Sequence, residues 1–229
     1  MRLSRHVGSW LARDLRIELH ITPCVVMHPP PQCEALLNPA NEQLVGTRFT
    51  PAECVRNLRG ARDDAIIYPP QVVDGLVHEL GGAALAEALA ALPADARGHR
   101  CEAGAAVATD AFGELRAAGF SHIIHAVAPH FEAACTDAHS TTLLERTYGA
   151  ALRVAERRSA ANVAAPLLGA GARGTPLDEA ARAAARALAN WRAAEPGLAP
   201  RRLAFGVQHD FAAAALEAAL GAEPALQPG

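Results

Sequence analysis

The stretch that most constrains how this chain can fold lies between residues 163 and 190. An apolar run over 163–168 leads into Gly169-Ala170-Gly171-Ala172-Arg173-Gly174, and Thr175-Pro176 then opens a long Ala/Leu/Arg stretch of helical spacing. A strand therefore feeds a loop with three glycines, and the loop feeds a helix N-terminus. Such a loop turns successive backbone N–H groups toward an anion, and its glycines allow close approach without Cβ clashes. The same pattern also serves as an ordinary tight connection, and the residues alone leave both readings open.

Other segments repeat the alternation of strand and helix. Residues 15–21 alternate apolar and polar, with Leu15, Ile17, Leu19 and Ile21 on one side, as in a half-buried strand. Residues 24–27 read as a short strand before His28-Pro29-Pro30-Pro31, and Ala35-Leu36-Leu37 as another. Helical spacing runs through Val72, Val73, Leu76, Val77 and Leu80 and on through Leu85, Leu89 and Leu92, with a bend expected at Gly81-Gly82. Strands follow at 105–109 and 122–127, a helix around 143–155, a strand at 162–168 and a last strand at 203–207.

Two helix starts carry their own signals. Thr175, Pro176 and Asp178 form a capping pattern, and Asp210 is placed to cap a final Ala/Leu helix. The whole reads as a three-layer α/β/α sandwich with a mixed central sheet. One domain is expected over 14–221, with an insertion at about 46–70 and a short helix after Thr50-Pro51. A flexible N-terminal extension is expected over 1–13 and a frayed tail over 222–229.

Composition narrows the functional classes. The formal charge of -3 lacks a basic block, so bulk electrostatics call for neither nucleic acid nor an acidic membrane. The five cysteines show no C-x-x-C spacing, so neither a disulfide framework nor a zinc site is expected, and a reducing compartment (cytoplasmic or nuclear) fits. Arg2, Arg5 and Arg13, with serines and no acid before Asp14, weakly resemble an organellar import segment. No apolar run is long enough to span a bilayer, and no metal or cofactor is expected.

Three segments hold chemistry where an α/β sandwich places ligands, at the carboxyl ends of strands. Asn38-Pro39-Ala40-Asn41 offers amides for sugar hydroxyls, or simply a turn. Val73-Asp74-Gly75-Leu76-Val77-His78 sets a carboxylate and a glycine at a helix start, where Asp74 either faces a pocket or caps its own helix. His78 then reads as a packed structural histidine. The glycine loop is the third segment.

In order along the chain, these segments resemble the macro domain family. Asn38-Pro39-Ala40-Asn41-Glu42-Gln43-Leu44 is similar to its N-x-A-N-x-x-L signature, and residues 73–78 to its V-D-G-x-I-H run. Cys101-Glu102-Ala103-Gly104-Ala105-Ala106 resembles the C-x-x-G-x-A turn, and residues 122–129 the I-I-H-x-V-x-P strand. Ala165-Pro166 and the loop 169–176 resemble the second phosphate loop. The resemblance covers roughly residues 15–220.

It implies a cleft for ADP-ribose, free or on a modified protein, with Asn41 at the distal ribose and Asn38 and Asp74 among the binding residues. The diphosphate would lie on the amides of Gly75 and of Gly169, Ala170, Gly171, Ala172, Arg173 and Gly174. It further implies that Asp74, with Asn41, hydrolyses an ADP-ribosyl linkage or an O-acyl-ADP-ribose ester by activating water. The alternatives are a reader module without chemistry and a scaffold whose insertion serves protein contacts.

The chain departs from the family pattern at three points. Gln71-Val72-Val73 stands where relatives carry three glycines, and the insertion separates Asn41 from Asp74. Residues 21–26 contain no acid for the adenine amino group. Arg173 replaces an aromatic ring near the distal ribose, where it is expected either to meet the ligand or to stand in solvent.

Overall fold

The computed structural model describes residues 4–49, 72–131, 137–194 and 199–229. Strands β1 (Arg5–Ala12), β2 (Leu15–Ile21) and β3 (Ala35–Pro39) precede helix α1 (Val73–Ala90). Then come β4 (Ala106–Asp110), α2 (Gly113–Ala117), β5 (His122–Ala126), α3 (Asp137–Arg157), β6 (Asn162–Ala165), α4 (Leu177–Ala194), β7 (Arg202–Val207), α5 (Asp210–Ala222) and β8 (Gln227–Pro228). The sheet runs β4-β5-β3-β6-β7-β2-β1-β8. Its centre, β5-β3-β6-β7-β2, is parallel, and the pairs at both edges are antiparallel. The expected mixed sheet in an α/β/α sandwich is the architecture found.

Period-two alternation divides the strand residues between the two faces. Leu37, Ile124, Val163, Leu203 and Phe205 join Tyr148 of α3, Trp191 of α4 and Leu216 of α5 in one apolar cluster. Leu36, Ile123, Ala164 and Ala204, one residue out of step, meet Val77, Leu85 and Leu89 of α1 and Leu115 of α2 in the other. The buried face of α4 is mostly alanine, so this helix packs close against its neighbours, with Leu188, Trp191 and Arg192 as its large buried side chains. Among the described residues no helix is long and apolar enough to cross a membrane.

Several expectations about the elements need correction. Residues 5–12 are a strand paired along β2, so the N-terminal extension expected to be flexible is part of the sheet from Arg5 onward. Residues 227–228 of the tail pair with β1, and Leu226 is buried, which holds the end that was expected to fray. Residues 24–27 form a turn closed by His28 N–H on the Cys24 carbonyl, not a strand. Asp210 does not cap α5, and its carboxylate accepts instead from Arg5 at 2.7 Å. Asp178 accepts from Arg182 one turn on. The bend at Gly81-Gly82 is present, with Gly82 at φ 61° inside α1. The short helix expected after Thr50-Pro51 lies outside the described residues.

Candidate functional site

The parallel strands β3, β6, β7 and β2 all end on the same side, and a cavity of about 660 Å³ opens over their carboxyl ends. The strand order sets the order of its walls. Asn41 follows β3, the loop 169–174 follows β6, Gln208 and His209 follow β7, and Cys24 and Val25 follow β2. With neighbouring strands about 4.8 Å apart, β3 and β2 are separated by about 14 Å. The hollow is long rather than round, with the glycine loop near its middle.

That loop is shaped by its glycines. Gly169 sits at φ 83° and Gly174 at φ 77°, where side-chain-bearing residues are strained. Gly174 N–H donates to the Gly171 carbonyl at 2.8 Å, and Thr175 N–H to the Gly169 carbonyl at 3.1 Å. Helix α4 then starts from the Pro176 carbonyl, which accepts from Ala180 N–H at 2.9 Å. The positive end of its dipole is therefore directed at the loop. Gly169, Ala170, Gly171, Ala172 and Arg173 all line the cavity; Gly174 is in the same loop but not in the wall.

Asn41 also lines the cavity, and its own amide organises the turn that carries it. Nδ2 donates to the Val45 carbonyl at 2.9 Å and the Thr47 hydroxyl at 3.1 Å, while Oδ1 accepts from Val45 N–H at 3.1 Å. Asn38, three residues earlier, is fully buried beneath α1. It shares the α1 face of the sheet with Leu36, and the parallel register sets it beside His125 of β5.

Asp74 lies in the first turn of α1 and is 1% exposed. It neither caps the helix nor faces the cavity. Oδ1 accepts from Asn38 Nδ2 at 2.8 Å, and Oδ2 accepts from the Thr47 N–H at 2.9 Å and the Thr47 hydroxyl at 2.7 Å. Asn41 Nδ2 stands 3.5 Å from the same oxygen. His78 Nε2 is 3.7 Å from Oδ1, too far for a hydrogen bond. Burial drives the pKa of His78 down, with the Asp74 charge opposing it.

The chain of contacts continues inward. His125 Nδ1 accepts from Asn38 Nδ2 at 3.2 Å, so Nε2 carries the proton and donates to the Thr109 hydroxyl at 3.0 Å. Burial, reinforced by the neighbouring His78, pushes His125 down to about 3 and keeps the ring neutral.

Gly75 does not offer its amide to the cavity wall. It allows the backbones of Thr47 and α1 to meet: a Cβ at Gly75 would run into the Thr47 carbonyl oxygen. Val72 and Val73 line the cavity where the family pattern has glycine. The two expected loops thus share one hollow, but the segment at the start of α1 meets it through residues 72–73 rather than Gly75.

Arg173 follows neither expectation. Its guanidinium forks onto the Glu42 carboxylate, Nη1 to Oε1 at 2.9 Å and Nη2 to Oε2 at 3.0 Å, and Nη2 also reaches the Ala40 carbonyl at 3.2 Å. Burial works against ionisation of Glu42, but the hydrogen bonds and charge of Arg173 prevail and hold its carboxyl below the ordinary range. Sequence reasoning assigned no role to Glu42, Thr47 or His125. Glu42 and His125 stand inside the matched motifs, whereas Thr47 has no local signal and becomes visible only when α1 packs against it.

At the β2 end the wall is made by Cys24, Val25, Val207 and Ala212, with Gln208 donating to the Pro23 carbonyl at 2.8 Å. No carboxylate lines that end among the described residues. Nor is any group of three His, Cys, Asp or Glu there placed to hold a metal ion.

Comparison with known proteins places this geometry. The Macro domain family model matches residues 37–184, from the Asn38 strand through the glycine loop and into α4. The non-structural polyprotein p200 of rubella virus (strain RA27/3 vaccine) is 36% identical over 172 residues, which cover 72% of this chain. The chain spans about 6% of the length of that polyprotein. Among solved structures, the Oceanobacillus iheyensis macrodomain with ADP superposes with TM-score 0.68 at 19% identity, covering 95% of each chain. The Trypanosoma brucei macrodomain in complex with ADP-ribose superposes with TM-score 0.63 at 19% identity, over 90% of this chain and 69% of that one. With its motifs in order, its sheet topology and a family match over well more than half its length, this chain belongs to the macro domain family.

Proposed function

We propose that this protein binds ADP-ribose, free or attached to a modified protein, in the cavity above β3, β6, β7 and β2. The observation that carries the reading is the shared hollow itself. Asn41, the glycine loop and residues 24–25 line it in the order in which a nucleotide sugar presents distal ribose, diphosphate and nucleoside. Its volume falls within the usual range for small-molecule sites. The amides of residues 169–173 and the N-terminus of α4 would hold the diphosphate, and the apolar β2 end would sandwich the base without a carboxylate. The macrodomains of Oceanobacillus iheyensis and Trypanosoma brucei solved with ADP and with ADP-ribose lend this support.

Hydrolysis of an ADP-ribosyl linkage or an O-acyl-ADP-ribose ester is the second reading, favoured by Asp74 standing directly behind Asn41 and Thr47. Thr47 and Asn41 line the cavity and Asp74 does not, so Asp74 would act through them as a positioning residue. A carboxylate that already accepts three hydrogen bonds is poorly placed to take a proton from water. Binding is therefore the reading the geometry supports best.

Calorimetric titration with ADP-ribose, paired with a turnover assay on ADP-ribosylated protein and O-acetyl-ADP-ribose, tests both readings. A saturable binding isotherm without product supports a reader. Product formation that Asp74→Asn abolishes supports the hydrolase, and no heat and no product would reject both.

A further inference from the structure

We propose that the Arg173–Glu42 bridge determines which phosphate compounds the cavity accepts, by withholding its guanidinium from the phosphate loop. The inference rests on ADP-ribose being the ligand of this cavity. Among the described residues lining the cavity, Arg173 is the one Lys or Arg and Glu42 the one Asp or Glu. Arg173 belongs to the loop whose amides would hold the phosphates, yet its two terminal nitrogens are taken by both oxygens of Glu42 and by the Ala40 carbonyl.

Both partners are fixed from behind. The Glu42 carbonyl accepts from Arg100 N–H at 2.8 Å and Cys101 N–H at 3.1 Å, and the Arg173 carbonyl accepts from Phe131 N–H at 2.7 Å. The Arg173 and Glu42 side chains are only 12% and 21% exposed, so water does little to loosen the pair. Forked Arg–carboxylate bonds are among the stronger and more directional ones a protein makes.

The consequence is electrostatic. With the pair intact, the Lys, Arg, Asp and Glu side chains of the described wall sum to zero charge, and a phosphate on the loop meets amide dipoles. A free guanidinium would favour ligands in proportion to their charge, and so would reward terminal polyphosphates over a diphosphate esterified at both ends. The bridge removes that reward. Selection then rests on the sugar at Asn41 and the base at the β2 end, and the accepted class is the doubly substituted diphosphate.

The test compares ADP-ribose with ATP by calorimetry at several NaCl concentrations, for the parent and for Glu42→Gln, Arg173→Gln and the double variant. Glu42→Gln keeps the shape of the partner and frees the cation. Its affinity for ATP relative to ADP-ribose is expected to rise about fivefold or more, and its ATP binding to weaken more steeply with salt. Arg173→Gln leaves a lone carboxylate by the loop, and is expected to lose ATP binding several-fold more than ADP-ribose binding. The double variant should return to the parent's ratio.

Equal changes for both ligands in the single variants, with an unaltered salt slope, would mean that the pair is purely structural and would overturn the proposal. Arg173→Gln alone suffices to decide the matter if Glu42→Gln melts below the assay temperature. Failure of the parent to bind ADP-ribose at all is a separate result, and it rejects the functional reading on which the proposal stands.

Discussion

The Asp74 carboxylate receives hydrogen bonds from the side chain of Asn38 and from both the amide and the hydroxyl of Thr47. Removing it would leave the buried Asn38 amide and the two part-buried Thr47 donors without this acceptor, the buried one at a cost of about 1–3 kcal/mol and the others at less. Asp74→Ala should therefore destabilise the fold by about 3–5 kcal/mol in urea denaturation and weaken ADP-ribose binding, because Asn41 and Thr47 lose the group that holds them. A stable Asp74→Ala with unchanged affinity would show that the network does not position the cavity wall. Thr47 matters as much as Asp74, although nothing in its sequence neighbourhood marks it. Its partner lies 27 positions away.

The glycine loop shows what a short element requires of its backbone. Gly169 holds φ 83°, and an added Cβ would press on Leu144 and on the Thr175 hydroxyl. Gly169→Ala is expected to cost about 1–3 kcal/mol through backbone strain. It should also lower ADP-ribose affinity, since the loop's amides would turn away from the cavity. Thermal melting with and without ligand separates the two effects, and a parent-like shift on adding ADP-ribose would contradict the second. Helix α1 illustrates the opposite case. Its apolar spacing marks its extent and Gly81-Gly82 its bend, yet the direction of its first turn follows from Gly75 meeting the Thr47 backbone.

For the molecule as a whole, the layer under α1 carries a pH dependence. His125 titrates near 6.5 in an unfolded chain, whereas burial and His78 hold it near 3 in the fold. Its folded pKa is depressed, so below pH 6.5 the unfolded chain binds a proton that the folded ring refuses. The stability from His125 is complete above that pH and is lost as pH falls toward 3, by up to about 1.4 kcal/mol per unit. Urea midpoints from pH 7 to 4 should fall less steeply in His125→Gln than in the parent, and identical slopes would refute the assignment. A second window belongs to Glu18. Burial opposes its ionisation, but Arg202 and His20 draw it from 4.5 to about 2, so its contribution is present above pH 4.5 and lost between 4.5 and 2.

Strand and helix order, the glycine loop and the Asn38–Asn41 turn were legible in the amino-acid order, because period-two and helical spacing and the φ demands of glycine are local properties. The roles of Asp74, Gly75 and Arg173 were not. Each depends on a partner far along the chain: Thr47 for the first two, Glu42 for the third. The outer strands were equally hidden: residues 5–12 pair along neighbouring β2, and residues 227–228 join the free side of β1 from the other end of the chain. Sequence by itself determined strands β2 to β7, the long helices, and the loops after β3 and β6 that reach the cavity. Only packing decided which polar groups face it and which are used up holding its walls, because a buried charge takes whatever partner the fold brings within hydrogen-bond reach.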